Sequence, residues 1–243
     1  MARVGGIFGK AAKALGFSVL TPEYEIILAL VDAPSLTVDQ LHERSSLSRA
    51  GFFNTIERLK SLELIISVSD VIDRRRRSYM LSDDLRDIIF YRFRKYRVDY
   101  SHHEGDKNRG QDFITRELTA RRERGLDYFT CEFRILFYLY LNSDLPNHAL
   151  RGLVDASDTK FHNSLKVLLE NDLISVSSES SDKRIKLYNV GCLVRLVMQQ
   201  LHADIFSWLD VRDAACAQPD HPPPMECVER LAASKGDRPR SGA

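Results

Sequence analysis

Sliding the 243-residue chain against itself by 109 residues gives one long ungapped match. Residues 21–86 lie over 130–195 with 17 identities in 66 positions, where chance supplies roughly four. The identities include Leu36/Leu145, Leu41/Leu150, Phe52/Phe161, Asn54/Asn163 and Leu59/Leu168. Two unrelated helical stretches would need gaps, and would not keep Asp73/Asp182 and Tyr79/Tyr188 in register. The chain therefore reads as one unit made twice, and two domains of similar fold are expected.

Each copy has the same internal order. In residues 22–32, Tyr24, Ile27, Leu28 and Val31 share a helical face that Ile26 and Leu30 broaden. Pro34 and Ser35 stop that helix. Thr37 caps a short helix, with Gln40 three residues on as the capping-box partner. After a break at Ser46-Leu47, Ser48 caps a longer helix whose inward stripe is Phe52, Ile56 and Leu59. Copy two repeats this: helix 130–142, helix 147–155, then a helix from Ser157 with Phe161, Leu165 and Leu168 inward. Past Leu64-Ile65 the pattern turns β-like around a polar tip, as it does in 175–190 with a turn at Glu179–Asp182. Helix, helix-turn-helix and hairpin is the order of a winged helix-turn-helix. The expected fold class is mainly α with small β-hairpins: tandem winged helix-turn-helix domains joined by helices.

The segment resembles the MarR family of bacterial transcription regulators. In that family a recognition helix ends near Gly-Leu-Ile/Val and runs into a wing bearing Asp-x-Arg, then a strand and Leu-Thr. Here Leu64-Ile65 and Leu173-Ile174 hold the helix exit, with Glu63 and Asp172 in place of the glycine. Asp73-Arg74-Arg75 and Asp182-Lys183-Arg184 hold the wing positions, and Leu81-Ser82 stands where Leu-Thr would be, with Asn189-Val190 in copy two. The likeness covers roughly 21–100 and 130–210. Family members usually carry one such domain and pair as homodimers. The resemblance implies a sequence-specific regulator whose halves form a pseudo-dimer within one chain.

A recognition helix lays its N-terminal residues against base edges in the major groove. With the apolar stripe inward, copy one turns out Arg49, Ala50, Phe53, Asn54, Glu57 and Arg58. Arg pairs with guanine O6/N7 and Asn with adenine N6/N7. Ala50 and Gly51 allow close approach, and Ser48 can donate to a phosphate. Copy two presents Asp158, Thr159, Lys160, His162, Asn163 and Lys166, and Asp158 repels phosphate. The wing of copy one holds Arg74, Arg75, Arg76 and Arg77 in a row, more than edge protection needs. The resemblance singles out Arg75 as the minor-groove residue, braced by Asp73; narrow minor grooves favour Arg. The second wing, with Lys183, Arg184 and Lys186, is weaker. The operator is accordingly expected to be read unequally by its two halves.

Charge and composition narrow the classes further. Lys plus Arg total 35 against 34 Asp plus Glu, for a net charge of +1. A generally basic binder is excluded, while local charge does the binding: residues 72–77 alone carry four arginines against one aspartate. The four cysteines form no CxxC pair, and Lys10 and Lys13 interrupt any secretory core in the N-terminal segment 1–20. No run has the roughly 18 apolar residues of a membrane helix. A cytoplasmic, nucleoid-associated protein is expected. Walker A, GxSxG, HExxH and GxGxxG motifs are absent. His102-His103 read as a solvated pair. Neither an enzyme, a metal site nor a cofactor is expected.

The expected boundaries are an N-terminal segment 1–20, a winged-helix domain over 21–100, a connecting loop and helix over 101–129, a second winged-helix domain over 130–213 and a disordered tail over 214–243. Helix 84–100, with Leu85, Ile88, Ile89 and Tyr96, is expected to pack on helix 193–209. The stripe of the latter reads Leu193, Leu196, Val197, Leu201, Ile205 and Trp208. A second connecting helix begins near Asp112. The partner expected is double-stranded DNA, with a small-molecule effector left open and no membrane. The protein is expected as a monomeric pseudo-dimer or a further homo-oligomer. Two other classes fit the pattern: a replication initiator with two winged helices, and a winged-helix protein-interaction scaffold of chromosome segregation.

Overall fold

The computed structural model describes residues 4–69, 77–89, 91, 109–124, 126–178 and 184–216. Helix α1 (Val4–Leu15) is followed by α2 (Pro22–Asp32), strand β1 (Leu36–Thr37), α3 (Val38–Glu43) and α4 (Arg49–Ser61). Strands β2 (Ile65–Ser69) and β3 (Arg77–Leu81) come next, and 83–89 are helical (α5). The second half runs α6 (Arg109–Arg124), α7 (Cys131–Leu141), β4 (Leu145–Pro146), α8 (Asn147–Val154), α9 (Asp158–Glu170), β5 (Ile174–Ser178), β6 (Lys186–Val190) and α10 (Cys192–Cys216). The chain is helical with two small antiparallel sheets, a winged-helix fold.

Local chemistry places the helices where the sequence suggests. The Thr21 hydroxyl accepts from Tyr24 N and Pro22 opens α2, which is buried from Ile26 through Val31 and so sits inside the core rather than on it. The Thr37/Gln40 capping box closes with both bonds made. Ser48 caps α4 by accepting from Gly51 N at 3.3 Å, and Phe52, Thr55, Ile56 and Leu59 face inward. Both long helices end alike. Glu63 and Asp172 take positive φ (56° and 55°), while Leu64 N donates to Leu59 O and Leu173 N to Leu168 O. This is a Schellman ending, made here by acidic residues where a glycine would be unstrained.

Most bounds in the second half sit 109 residues after their counterparts: α7 after α2, α9 after α4, and β4, β5 and β6 after β1, β2 and β3. The pairing follows. Leu36 faces Tyr79 and Leu145 faces Tyr188; Ile65 faces Leu81 and Ile174 faces Val190. Both sheets run edge, centre, edge as β1-β3-β2 and β4-β6-β5. The short strands β1 and β4 extend each hairpin to three strands, which two-residue segments give no period to reveal.

The two halves meet through residues that are themselves counterparts. Leu20 and Phe129, 109 apart, form an antiparallel bridge. Thr21 N donates to Tyr128 O and Thr130 N to Val19 O, both at 3.0 Å. Each threonine also caps its own helix while its hydroxyl donates across: Thr21 Oγ1 to Asp127 O at 2.5 Å, Thr130 Oγ1 to Ser18 O at 2.8 Å. Phe129, fully buried, touches the rings of Phe8, Tyr24 and Phe133.

Helix α10 packs against α1, α6 and α7. Its buried stripe is Val194, Met198, Leu201, His202, Ile205 and Trp208. The expected stripe is corrected at its start: Leu193 and Leu196 are exposed, at 52% and 59%. Both sets have helical spacing, and contact with three neighbouring helices selects the other face. Helix α6 begins at Arg109, earlier than Asp112. Within α5, Leu85 and Ile89 are buried and Ile88 half-buried. Tyr91 is helical and exposed, while Tyr96, the other residues of 84–100 past Ile89 and any pairing they make with 193–209 lie outside the described residues. The expected tail is corrected at its start, since 214–216 still belong to α10, and from 217 it lies outside the described residues. None of the described helices is long and apolar enough to cross a membrane.

His202 makes this interface acid-sensitive. Burial against Phe137 and Tyr140 lowers its pKa from 6.5 to about 4. Between those values the unfolded chain binds a proton that the folded chain refuses. The stability contributed by neutral His202 is thus present above pH 6.5 and is lost as pH falls toward 4, up to about 3 kcal/mol. Thermal melts of the wild type and His202→Leu across pH 4–7 check this. The wild type should lose more stability on acidification, and parallel curves would contradict the assignment.

Candidate nucleic-acid interface

All the described candidates in the two helices are solvent-facing: Ser48, Arg49, Ala50, Phe53, Asn54 and Arg58 in the first, Thr159, Lys160, His162, Asn163 and Lys166 in the second. The first helix is held from behind at two points. Glu25 accepts from Ser46 N at 2.6 Å and Ser46 Oγ at 2.9 Å, fixing the turn before Ser48. Glu23 binds Arg58 Nη1 at 2.5 Å, which draws Arg58 back toward α2. Arg49 and Asn54 carry no such tie to a described residue. A Cβ added at Gly51 would stand 3.3 Å from Ser48 Oγ, so the small residue there serves the cap.

The second helix has the same backbone and another charge pattern. Over α4 three cations oppose one carboxylate, for +2; over α9 two oppose two, for zero. Asp158 pairs with Arg151, Lys160 faces Asp127 at 3.8 Å, and Lys166 faces Glu170 at 3.6 Å. His162 Nδ1 lies 2.8 Å from the Asp158 carbonyl. Asn163 is exposed like its counterpart Asn54. Ser164 donates to Glu132 at 2.7 Å, so the carboxylate equivalent to Glu23 ties α9 to α7 as Glu23 ties α4 to α2.

Of the wing residues, Arg77 is exposed at the start of β3, opposite Ser69. Arg184 and Lys186 are exposed at the corresponding end of the second hairpin. Arg74, Arg75, Arg76 and Lys183 lie outside the described residues, as do Asp73 and Asp182. Among the described residues, no cluster of His, Cys, Asp or Glu is arranged to hold a metal ion.

Sequence reasoning misses Arg134, on α7. It is 1% exposed and its Nε, Nη1 and Nη2 make no hydrogen bond; Asp127 Oδ1 stands 3.7 Å from Nη1. A lone Arg in an apolar helix reads as outward-facing, and no local signal in the sequence marks it as buried.

No protein-family model matches the chain, and no curated protein does. Solved structures are similar over about half of it. A point mutant of Staphylococcus aureus MepR bound to an oligodeoxyribonucleotide is 15% identical, covering 51% of this chain and 86% of its own, with a TM-score of 0.31. A probable transcriptional regulator from Pseudomonas aeruginosa is 17% identical, covering 53% and 92%, at 0.31. A MarR-family regulator from Silicibacter pomeroyi is 16% identical, covering 53% and 81%, at 0.28. Superposition this loose transfers no residue's role.

Proposed function

We propose that this chain is a sequence-specific double-stranded DNA-binding transcription regulator, an intramolecular pseudo-dimer acting in the cytoplasm on the nucleoid. Its winged-helix domains are 21–100 and 130–213. The observation that carries the reading is the junction at Leu20 and Phe129. In a two-fold contact, residue i meets j and j meets i. Thr21 meeting Tyr128 and Thr130 meeting Val19, with counterparts Leu20 and Phe129 between them, has that form. Two helix-turn-helix units related in this way present two recognition helices as a homodimer does, to half-sites about 34–36 Å apart.

Within the site, Arg49 and Asn54 read bases, Ser48 contacts phosphate, and the arginine wing with Arg75 enters the minor groove. Phe53 and Ala50 meet the groove floor, and Arg58 gives up Glu23 to reach a phosphate. In the second domain Asn163 reads, while Thr159, Lys160, His162, Lys166, Lys183, Arg184 and Lys186 supply weaker contacts. Bound at an operator, the protein blocks or alters polymerase access.

Band shifts on a site-bearing duplex test this through stoichiometry. One chain per duplex is expected, and a strict requirement for two contradicts the intramolecular form. Arg75→Ala should weaken binding across sequences and reduce the salt slope by about one; an unchanged slope removes the wing from the site.

One observation favours a different use of the second domain. Leu153, Val167, Leu169, Leu193 and Leu196 are exposed where the first domain carries Arg44, Arg58, Lys60, Asp84 and Asp87. A protein-interaction scaffold would show this. Its discriminator is DNA affinity that stays micromolar and unspecific.

A further inference from the structure

Both recognition helices are tied to residues just past the junction, Arg58 to Glu23 and Ser164 to Glu132, and the second has a further link through Lys160 that the first lacks. Asp127 belongs to the segment whose carbonyl accepts from Thr21 Oγ1 at the junction. Its Oδ1 stands 3.7 Å from Arg134 Nη1 and its Oδ2 stands 3.8 Å from Lys160 Nζ. Lys160 lies in the first turn of α9 and is half exposed; the Arg134 side chain is 2% exposed. The counterparts in the first half are Ser18, Glu25 and Gly51. They make no such relay: Glu25 grips Ser46 instead, and Gly51 has no side chain to hold.

The chemistry of the relay is a competition. A buried guanidinium without hydrogen bonds draws any carboxylate toward itself. A lysine at the head of a recognition helix is drawn toward DNA phosphate. One carboxylate stands between the two cations. Resting on the duplex reading above, we infer that Asp127 is a positioning residue for the second recognition helix. Its carboxylate restrains the Lys160 ammonium from the phosphate backbone, and Arg134 sets the strength of that restraint by pulling the carboxylate inward. The second half-site is thereby engaged more tightly as Asp127 is drawn toward Arg134, which links the junction segment to the helix that touches DNA.

The test is binding to a mixed-sequence duplex of roughly 25 base pairs, long enough for two half-sites a helical turn apart, at several salt concentrations. Asp127→Asn is expected to tighten binding about three- to tenfold. Arg134→Leu, far from DNA, is expected to weaken it about threefold, because the inward pull of the guanidinium on Asp127 is then removed. In a Lys160→Met background both effects should largely vanish. Asp127→Asn with Arg134→Leu replaces the pair by uncharged groups, is expected to keep the fold, and should bind like Asp127→Asn alone. Effects that persist undiminished without Lys160 overturn the restraint, as does tighter binding by Arg134→Leu. Failure of every protein, wild type included, to bind the duplex with a salt slope contradicts the duplex reading itself and this inference with it.

Discussion

A chain carrying Arg49→Ala together with Asn54→Ala is expected to lose its specific site by a factor on the order of 10²–10³ while keeping its non-specific affinity. Each bidentate contact to a base edge is worth about 1–3 kcal/mol of discrimination, and about 1.4 kcal/mol is tenfold. Both side chains are exposed and neither is tied to a described neighbour, so stability should stay within about 0.5 kcal/mol of wild type. That separation matters: loss of binding with an unchanged melt is a loss of reading, not of fold. The equivalent change in the second domain, Asn163→Ala with Asp158→Ala, should cost tenfold or less, because α9 has no net charge and Asp158 is already committed to Arg151. Competition band shifts with specific and random duplexes measure both. Equal losses from the two domains would contradict the unequal reading, and no loss from either would remove these helices from the groove.

The second large effect is on the junction. Phe129→Ala removes a fully buried ring that packs against Phe8 of α1, Tyr24 of α2 and Phe133 of α7. Truncations of this kind cost about 3–5 kcal/mol, which for a chain of this size lowers the melting temperature by about 6–20 °C. The ring sits beside the backbone bonds that join the halves. Calorimetry is therefore expected to show one transition for the wild type and a broadened or divided one for the variant, and DNA affinity should fall although Arg49 and Asn54 are untouched. A cost under about 1 kcal/mol with one sharp transition would mean that the halves are not coupled through Phe129.

Much of this architecture is legible in the sequence because local signals agree. Thr37, Ser48 and Ser157 cap helices where apolar residues begin to recur at helical spacing, and the 109-residue offset carries the second half once the first is read. The Thr21/Thr130 identity is visible too; what the pair does is not, because a hydroxyl that caps its own helix and also donates across a junction leaves no periodic trace. Helix α1 gives a weak signal although Ile7, Phe8, Ala11 and Leu15 have helical spacing. Gly5, Gly6 and Gly9 lower its intrinsic propensity, and packing on α10 overrides that cost. Leu193 and Leu196 mislead for the opposite reason: two apolar faces compete on α10, and tertiary contact chooses between them. In α4 and α9 the residues expected to face outward are exposed. The sequence does not reveal which cations are already paired, since Glu23, Asp127 and Asp158 reach their partners from other segments.

Footprinting on genomic fragments tests the central claim most directly. One chain holding two recognition helices about one helical turn apart should protect a single specific site of roughly 20 base pairs, with the Arg49/Asn54 side more sharply defined than the Asn163 side. A protected site of under about ten base pairs, or no specific site at all, would contradict it.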